Sequence, residues 1–455
     1  MLELLDYAII GVAAAALLRR ICTEGLDPND CFLWFLVGTA VFLNLGSLRD
    51  SREPMVLGRS AAAEEAVHLL ELLHIFVVGL TYGFVRGVPA PTRSNLADWT
   101  PRLTHVAIIF GLGLFLRLTV FDPREPLRLS ESNYVNQLTL LPLACFGVIS
   151  ATAMWHLGAR QASLARHVLI YLLLLPTGLL LSFYYSRTPL MYAVFLYGML
   201  VFSTTVARSR RSGVERFSRF LLALAVPGAL YLVLTIGSLA KGYSAAHTGN
   251  LDRSILVEEM RQHRRSLAFI DAYENALFAY EHFPSQHRYL WGQSFISVAS
   301  GVIPRSLWPN KPAGFSEPLT IAKRGEKDRE AGLSLATSLL GDLWAGGGVA
   351  NIILGSILVG AAMGQCQRWY EAHRASAAVT IIYWEMCFMW LLCQRGDIYI
   401  VFSRGLVILV MTYACLRAAG ADVASRLGSE PVQPVSRQPK KHLRRPRKWN
   451  LPRVE

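Results

Sequence analysis

Long apolar runs, separated by short polar stretches, dominate the pattern of this chain. A helix of roughly 17 to 25 apolar residues is long enough to cross the hydrocarbon core of a bilayer. The pattern therefore predicts an all-α, polytopic integral membrane protein with about eleven transmembrane helices. The predicted spans lie at residues 2–18, 31–47, 67–85, 103–121, 135–155, 167–184, 188–206, 220–239, 334–362, 377–393 and 398–416.

Composition supports this class of protein. Only 17% of the 455 residues are charged and 53% are hydrophobic, whereas a soluble domain of this size carries about 25% charged residues. The seven cysteines are scattered, mostly within apolar runs, and have the spacing of neither a zinc site nor a disulfide framework. The first apolar run has no basic stretch before it and no clear cleavage site, so we expect it to be a retained span.

Basic residues predict the orientation. The C-terminal tail, which includes KKHLRRPRK, and the loop ARSRRSGVERFSR after the seventh span are both rich in Lys and Arg, so both are expected on the cytoplasmic side. Alternation then places the N-terminus outside and the C-terminus inside a bacterial inner membrane. The formal net charge of +13 is explained by topology and by attraction to anionic lipid, and nucleic acid is not an expected partner.

The spans divide the chain into four regions. Residues 1–239 hold eight spans, residues 240–333 form one large outer (periplasmic) loop, residues 334–416 hold the last three spans, and residues 417–455 form a basic tail expected to be disordered. Apolar positions in residues 251–284 recur at broadly helical spacing, which predicts amphipathic helices in the loop. The loop lacks DxD, HExxH and Cys/His clusters, so neither a metal nor another cofactor is expected.

Lysine and arginine side chains are the main candidates for ligand binding on the predicted outer side. Arginine at or within a bilayer is costly and usually faces a polar cavity, although snorkelling to lipid headgroups is the simpler explanation for a single arginine. Several cations that converge on one vestibule would bind a diphosphate, because guanidinium groups pair bidentately with phosphate oxygens. The candidates are Arg187, Arg305, Lys311, Arg324, Arg395 and Arg404.

One stretch resembles a known family. YLWGQSFISVASGVIPRSLWPNKP, residues 289–312, is similar to the signature loop of bacterial O-antigen polymerases, the Wzy-type oligosaccharide repeat unit polymerases. The small and polar start of the ninth span, with Asp342 and then glycines, and the stretch YYSRTPLM around Arg187 also resemble this family. The position of Asp342 is usually Glu in the family. The specific resemblance covers about 60 residues.

This resemblance implies a GT-C-like architecture and glycosyl transfer on the periplasmic face. A glycan on undecaprenyl diphosphate would be moved onto the terminal sugar of a new lipid-linked repeat unit. Implied partners are these lipid-linked oligosaccharides, membrane lipids, and the chain-length regulator and flippase of the same pathway. Two alternatives stay open: an O-antigen ligase that transfers the glycan to lipid A core, and a flippase that makes no bond.

Acids and aromatic residues complete the prediction. Asp342 is the first candidate for a general base and Asp397 the second, with Arg305 as a further catalytic candidate. Other possible bases are Glu258, His263, Glu274 and His282. Each of these four is equally explained as a surface charge or a helix partner. Trp291 and Trp308 are candidates for stacking on sugars, while Trp344 is expected to anchor at the membrane interface. Glu71, His74 and Glu385 are expected to form hydrogen bonds between neighbouring helices.

Overall fold

The structure, a computed structural model, describes residues 29–44, 61–88, 141–159, 271–300, 307–327, 337–373 and 376–419, with shorter pieces within 7–15, 104–112 and 192–200 and at residues 303 and 335. Throughout these residues the regular structure is helical, without a strand. We number the helices α1 to α9: Cys31–Thr39 with a π-helical extension Ala40–Asn44, Ala61–Gly87, Leu141–Ala159, Asp271–His282, Gln293–Ser300, Ser316–Arg324, Leu339–His373, Ala377–Leu392 and Ile398–Ala418.

Three helices are long and apolar enough to cross a membrane, namely α2, α7 and the part of α9 from Val401 to Ala418. Shorter apolar helices occur at Cys31–Asn44, Ala144–Ala153 and Ala377–Leu392. All six overlap predicted spans. The loop helix α4 lies within the stretch predicted to be amphipathic, whereas residues 251–270 and the predicted spans at 167–184 and 220–239 lie outside the described residues.

The bounds of α7 differ from those of the predicted ninth span, 334–362. The helix begins at Leu339 because Ser338 caps it: the Ser338 hydroxyl accepts a hydrogen bond from the N–H of Gly341 (2.9 Å). It continues to His373 because its polar last turns have partners on other helices. The Gln367 amide donates to the carbonyl of Asn29 (3.0 Å), and Glu371 forms an ion pair with Arg86 (2.8 Å).

One end of the bundle is closed by this polar network. Asp30 caps the N-terminus of α1 and accepts hydrogen bonds from the Tyr82 hydroxyl (3.0 Å) and from Arg86 (3.2 Å). The start of α1 and the ends of α2 and α7 therefore meet here, and the Trp384 indole of α8 donates to the Asn29 side chain (2.6 Å). We call this the clamp end. Helix α1 therefore begins at the clamp end, whereas α2 and α7 end there.

The opposite end, the loop end, receives the helices of the predicted outer loop. Tyr273 of α4 stacks on His68 near the start of α2, with ring centroids 5.5 Å apart. Helix α4 also packs along α7, and α5 packs against α9. The loop helices are thus part of the packed structure at the end where α2, α7 and α9 begin.

The polar residues expected between helices do form hydrogen bonds there. His74 of α2 contacts the Ser356 hydroxyl of α7 (2.6 Å), and Asn44 donates to Glu71 (3.4 Å). Glu385 of α8 accepts hydrogen bonds from Tyr192 and from Thr412 of α9 (2.9 Å). The prediction of a structural role for Glu71, His74 and Glu385 is confirmed by these contacts.

Close packing of α7 on α2 depends on glycine. A methyl group at Gly360 would lie 2.6 Å from the carbonyl oxygen of Val78, and one at Gly364 would lie 2.8 Å from Cβ of Val85. Small residues four positions apart let two helix backbones approach, which is the usual basis of tight packing between membrane helices. These two glycines therefore fix the distance between the two longest described helices.

A break divides α7 into two segments. Gly347 and Gly348 have non-helical backbone angles, and Gly348 has φ +65°, a region that disfavours residues with a side chain. A methyl group at Gly348 would also lie 2.8 Å from the Tyr289 hydroxyl. The segment after the break, from residue 349 to His373, has a length of about 37 Å at 1.5 Å per residue, enough to cross a bilayer without the first segment.

Replacing Gly360 with Ala should destabilise the protein. The new methyl group would meet the backbone of α2, which cannot move aside as a flexible side chain would. We expect a loss of about 1–3 kcal/mol in the free energy of unfolding, the usual cost of overpacking. Thermal unfolding in detergent would measure it as a lower midpoint.

Gly83→Ala is the matched control. Gly83 also lies in an apolar helix, but no atom lies within 4 Å of its added methyl group. Alanine is the better helix former by about 0.5–1 kcal/mol, so the midpoint should be unchanged or higher. Equal effects of the two substitutions would contradict the predicted role of Gly360 in helix packing.

Candidate functional site

Asp342 lies in the first turn of α7 at the loop end, and its side chain is only 1% exposed. One oxygen, Oδ1, accepts a hydrogen bond from the Ser294 hydroxyl of α5 (2.5 Å). The other, Oδ2, accepts one from the backbone N–H of Ile398, the first residue of α9 (2.9 Å). Asp342 therefore links a loop helix to the N-terminus of a bundle helix.

Asp397, which is 0% exposed, makes a similar link. Its Oδ2 accepts a hydrogen bond from the N–H of Ser316, the first residue of α6 (2.9 Å). A methyl group at Gly314 would lie 2.7 Å from the same oxygen, so glycine lets the loop backbone come this close. Asp397 also interacts electrostatically with Asp342. The two carboxylates form one buried acidic pair, which we call the carboxylate pair.

Helix N-termini compensate for the burial of this charge. Unpaired N–H groups and the helix dipole make the first turn of a helix favourable for an anion. Asp342 occupies this position at α9, and Asp397 occupies it at α6. Each carboxylate comes from a segment other than the helix whose N-terminus it contacts, so both contacts are tertiary.

The loop also docks on the break in α7. The backbone N–H of Leu290 donates to the carbonyl of Ala345 (2.8 Å), and that of Gly292 donates to the carbonyl of Gly346 (3.2 Å). A break in a helix leaves carbonyl groups that need other donors. The residues just before α5 supply these donors, which brings the family-like stretch against the first segment of α7.

The proline-rich part of that stretch folds back on α5. The Gln293 side-chain amide donates to the carbonyl of Ala313 (3.0 Å), and the Ser297 hydroxyl lies 2.8 Å from the same oxygen. The Lys311 ammonium, in a residue that is 5% exposed, donates to the carbonyl of Ile303 (2.8 Å). Lys311 is held within the turn, and no helix forms over the described residues 307–312.

The other predicted cations are spread more widely. Arg395 lies partly buried in the turn between α8 and α9, two residues before Asp397. Arg324 ends α6 and is exposed. The backbone of Arg404 lies within α9, while its side chain, like all of Arg187 and Arg305, is outside the described residues. The described structure therefore brings Lys311, Arg395 and Arg324 to the loop end.

The candidate aromatic residues differ in exposure. Trp291 is 77% exposed, and Trp308 is also exposed. Trp344 packs beside Tyr280 (ring centroids 4.8 Å apart), and its indole N–H donates to the carbonyl of Phe283 (2.8 Å). Trp344 is thus a contact between α7 and the loop, and its expected role as an interfacial anchor stays a prediction. Trp291 and Trp308 stay available for stacking.

The remaining candidate bases have other contacts. Glu274 forms an ion pair with Lys323 (2.7 Å), and His282 bonds to the carbonyl of Phe278 (3.0 Å). Both contacts match the alternative explanation of a helix partner. Glu258 and His263 lie outside the described residues. Asp342 and Asp397 are therefore the two of these acids that the structure brings together.

Sequence reasoning assigned no role to Ser294, although it belongs to the family-like stretch. Its hydroxyl is the direct partner of Asp342 across 48 residues of sequence. Together these groups can accept a proton at a carboxylate and present cations and aromatic faces nearby. Among the described residues, no group of three or more His, Cys, Asp or Glu side chains is placed to hold a metal ion.

Comparisons with protein-family models, curated proteins and solved structures give no match for this chain.

A comparison of Asp342→Ala with Asp342→Asn should show how much the hydrogen bonds of Asp342 contribute to stability. Alanine removes both acceptors and leaves the buried N–H of Ile398 without its partner, so we expect a loss of about 2–4 kcal/mol in the free energy of unfolding. Asparagine keeps one acceptor for that N–H, and its amide can donate to the Ser294 hydroxyl. Its loss should be less than half as large.

Thermal unfolding in detergent and the rate of proteolytic cleavage of the loop would measure the two effects. Asp342→Ala should speed cleavage between α4 and α6, since Ser294 loses its tertiary partner. Equal stability of the two variants would show that the contacts of Asp342 do not hold the loop in place.

Proposed function

We propose that this protein polymerises undecaprenyl-diphosphate-linked oligosaccharide repeat units on the periplasmic face of a bacterial inner membrane. It would be a metal-independent glycosyltransferase of O-antigen or related surface-polysaccharide biosynthesis, with the resemblance of residues 289–312 to the Wzy-type polymerases as the starting point. The single observation that carries the proposal is the position of this stretch. It is bonded to the break in α7 and, through Ser294, to the carboxylate pair.

The reaction needs a cationic site and a base. The acceptor sugar hydroxyl attacks the anomeric carbon of the donor glycan, and a new glycosidic bond forms as the bond from that carbon to the diphosphate oxygen breaks. The bonding electrons leave with undecaprenyl diphosphate, and the hydroxyl proton goes to the base. In this proposal Asp342 is the base, with Asp397 as the second candidate.

The carboxylate pair suits this role in two respects. Each Asp342 oxygen accepts one described hydrogen bond, and a carboxylate oxygen has two lone pairs, so capacity remains for a sugar hydroxyl. Burial excludes bulk water, which would compete with the acceptor hydroxyl.

Cations would stabilise the leaving diphosphate. Arg305 and Lys311 belong to the proline-rich stretch of residues 302–312 in the sequence. Arg187, Arg324, Arg395 and Arg404 are the further diphosphate-binding candidates. Preorganised charge at the position where negative charge develops is usually the largest catalytic effect. The hydrogen bond from Lys311 to Ile303 supports such preorganisation, because it holds the ammonium group in one place.

A site at the end of the helix bundle suits substrates that are anchored in the membrane by lipid tails. The polyprenyl tails of both substrates stay in the membrane, so the reacting sugars must meet at the bilayer edge. The carboxylate pair lies at the starts of α7 and α9, two of the helices able to span a bilayer. Exposed Trp291 and Trp308 are well suited to stack on sugar faces there.

Incubation of the purified protein with its undecaprenyl-diphosphate repeat unit, in chelator and without added metal, tests this function. We expect a ladder of oligomers. Arg305→Ala should reduce the rate about 10²- to 10³-fold, since it removes a cation from the developing diphosphate. Arg417→Ala is the control, because Arg417 is an exposed cation in the last turn of α9, away from the loop end, and should leave the ladder unchanged.

Other products would identify the alternatives. Transfer to lipid A core without a ladder would indicate a ligase, and translocation across the bilayer without any product would indicate a flippase. A metal requirement would contradict the proposed mechanism. Full activity of Arg305→Ala would remove Arg305 from the site while leaving polymerisation in place.

The same assay tests the base. Asp342→Asn keeps the shape of the side chain but lacks a strong proton acceptor, so we expect a loss of about 10²- to 10⁴-fold in rate without loss of folding. Asp397→Asn, measured in parallel, tests the second candidate. If both variants keep the wild-type rate, neither carboxylate is the base.

A further inference from the structure

The turn after α8 contains a buried side-chain amide. Gln394 is 0% exposed, and neither its Nε2 nor its Oε1 has a hydrogen-bond partner among the described residues. An amide has two donor hydrogens and an acceptor oxygen, and buried groups of this kind are almost always paired. A buried amide without partners carries a free-energy cost, and a bound ligand would remove this cost.

Two more buried polar groups have the same property. The Thr337 hydroxyl and the Trp390 indole N–H are also without hydrogen-bond partners in the described part of the chain. Trp390 lies in the last turn of α8, and Gln394 follows the end of that helix at Leu392 by two residues. Thr337 lies two residues before Leu339, whose N–H donates to the carbonyl of Cys393 (3.1 Å). The backbone of all three residues therefore lies close to the point where the start of α7 meets the end of α8.

Nearby groups in the same region do have partners. The Ser338 hydroxyl accepts from the N–H of Gly341 (2.9 Å), and the Cys393 thiol lies 3.0 Å from the carbonyl of Trp390. The unpaired groups are thus specific side chains at an otherwise well-bonded crossing. Leucine or valine at these positions would avoid the free-energy cost of an unpaired polar group.

The chemistry of the three groups selects the ligand. They offer a donor-only N–H, an amide that both donates and accepts, and a hydroxyl that does both, with no positive charge. Asp397 follows Gln394 by three residues, and Asp342 is on the adjoining first turn of α7. A neutral ligand whose hydroxyls donate and accept fits all three groups.

We propose that Gln394, Thr337 and Trp390 form a subsite for a neutral sugar residue beside the carboxylate pair. This rests on the proposed function, and it names the part of the substrate recognised here: the glycan, not its diphosphate. The subsite would hold a sugar by its hydroxyls next to Asp342, the proposed base. Diphosphate recognition is left to the cations.

Gln394→Leu separates a sugar subsite from an amide that is merely unpaired. Leucine has a similar size and no polar atom, so the thermal midpoint in detergent should stay the same or rise. Affinity for the glycan should nevertheless fall about 10- to 100-fold, the effect of losing one or two hydrogen bonds to a buried ligand. A subsite thus predicts opposite effects on stability and on binding.

The probe is the undecaprenyl-diphosphate repeat unit accumulated by a strain of the source bacterium that lacks this protein. Glycan-free undecaprenyl diphosphate is the second ligand, and its affinity should not change in Gln394→Leu. Equilibrium binding to the full-length protein, measured in the cold before product forms, gives both affinities. Unchanged affinity for the glycan-bearing lipid, with an unchanged or higher midpoint, would overturn the subsite.

Thr337→Val keeps the proposal testable if Gln394→Leu does not fold. This substitution removes one hydroxyl with little change in shape, and we expect about 3- to 10-fold weaker binding of the glycan-bearing lipid. Thr380→Val is the matched control, because the buried Thr380 hydroxyl of α8 already donates to the carbonyl of Ser376 (3.0 Å) and lies toward the start of that helix. Equal affinities for the Thr337 and Thr380 variants would also overturn the subsite.

Failure of the subsite and failure of the proposed function give different results. If the wild type forms a ladder and Gln394→Leu binds glycan normally, the subsite is wrong and polymerisation stands. If the wild type binds the glycan through Gln394 but forms no ladder, the subsite stands and the proposed reaction is wrong. Loss of affinity for both lipids alike would overturn the subsite, since recognition would then not depend on the sugar.

Discussion

Burial of two carboxylates is the constraint on which the loop end of this protein depends. Asp342 and Asp397 are almost completely removed from water, and a buried anion is tolerated only when donors replace the lost hydration. These donors are the N-termini of α9 and α6 and the Ser294 hydroxyl of α5. The loop helices and the bundle must therefore be assembled together, because neither part alone satisfies the acids.

The two ends of the bundle use polar groups differently. At the clamp end, Asp30, Arg86 and Glu371 pair opposite charges and join helix ends, which is a complete structural arrangement. At the loop end, two buried carboxyl groups interact electrostatically, and the nearby Gln394 amide has no hydrogen-bond partner among the described residues. Charge repulsion and an unpaired buried amide both cost stability, which makes the loop end a candidate for a functional site.

The sequence predicted the parts of the structure that depend on local pattern. Apolar run length located α2, α7 and α9, because the cost of exposing apolar surface is spread over many residues. The break in α7 was missed, although three consecutive glycines, 346–348, are a signal for one. Contacts such as Ser294 with Asp342, or Asn29 with Trp384 across 355 residues, depend on how the helices pack, and no local pattern encodes them.

The docking of the loop on α7 has a consequence for how freely this region can change. Leu290 and Gly292 bind Ala345 and Gly346 through backbone groups alone, so the side chains around this contact are not needed to make it. What must persist is the glycine conformation that exposes the carbonyls. In the proposed function, substitutions at Tyr289 and Trp291 would alter which sugars are contacted while the loop remains in register with Asp342. Divergence of specificity within a fixed framework is the expected evolutionary history of such a surface.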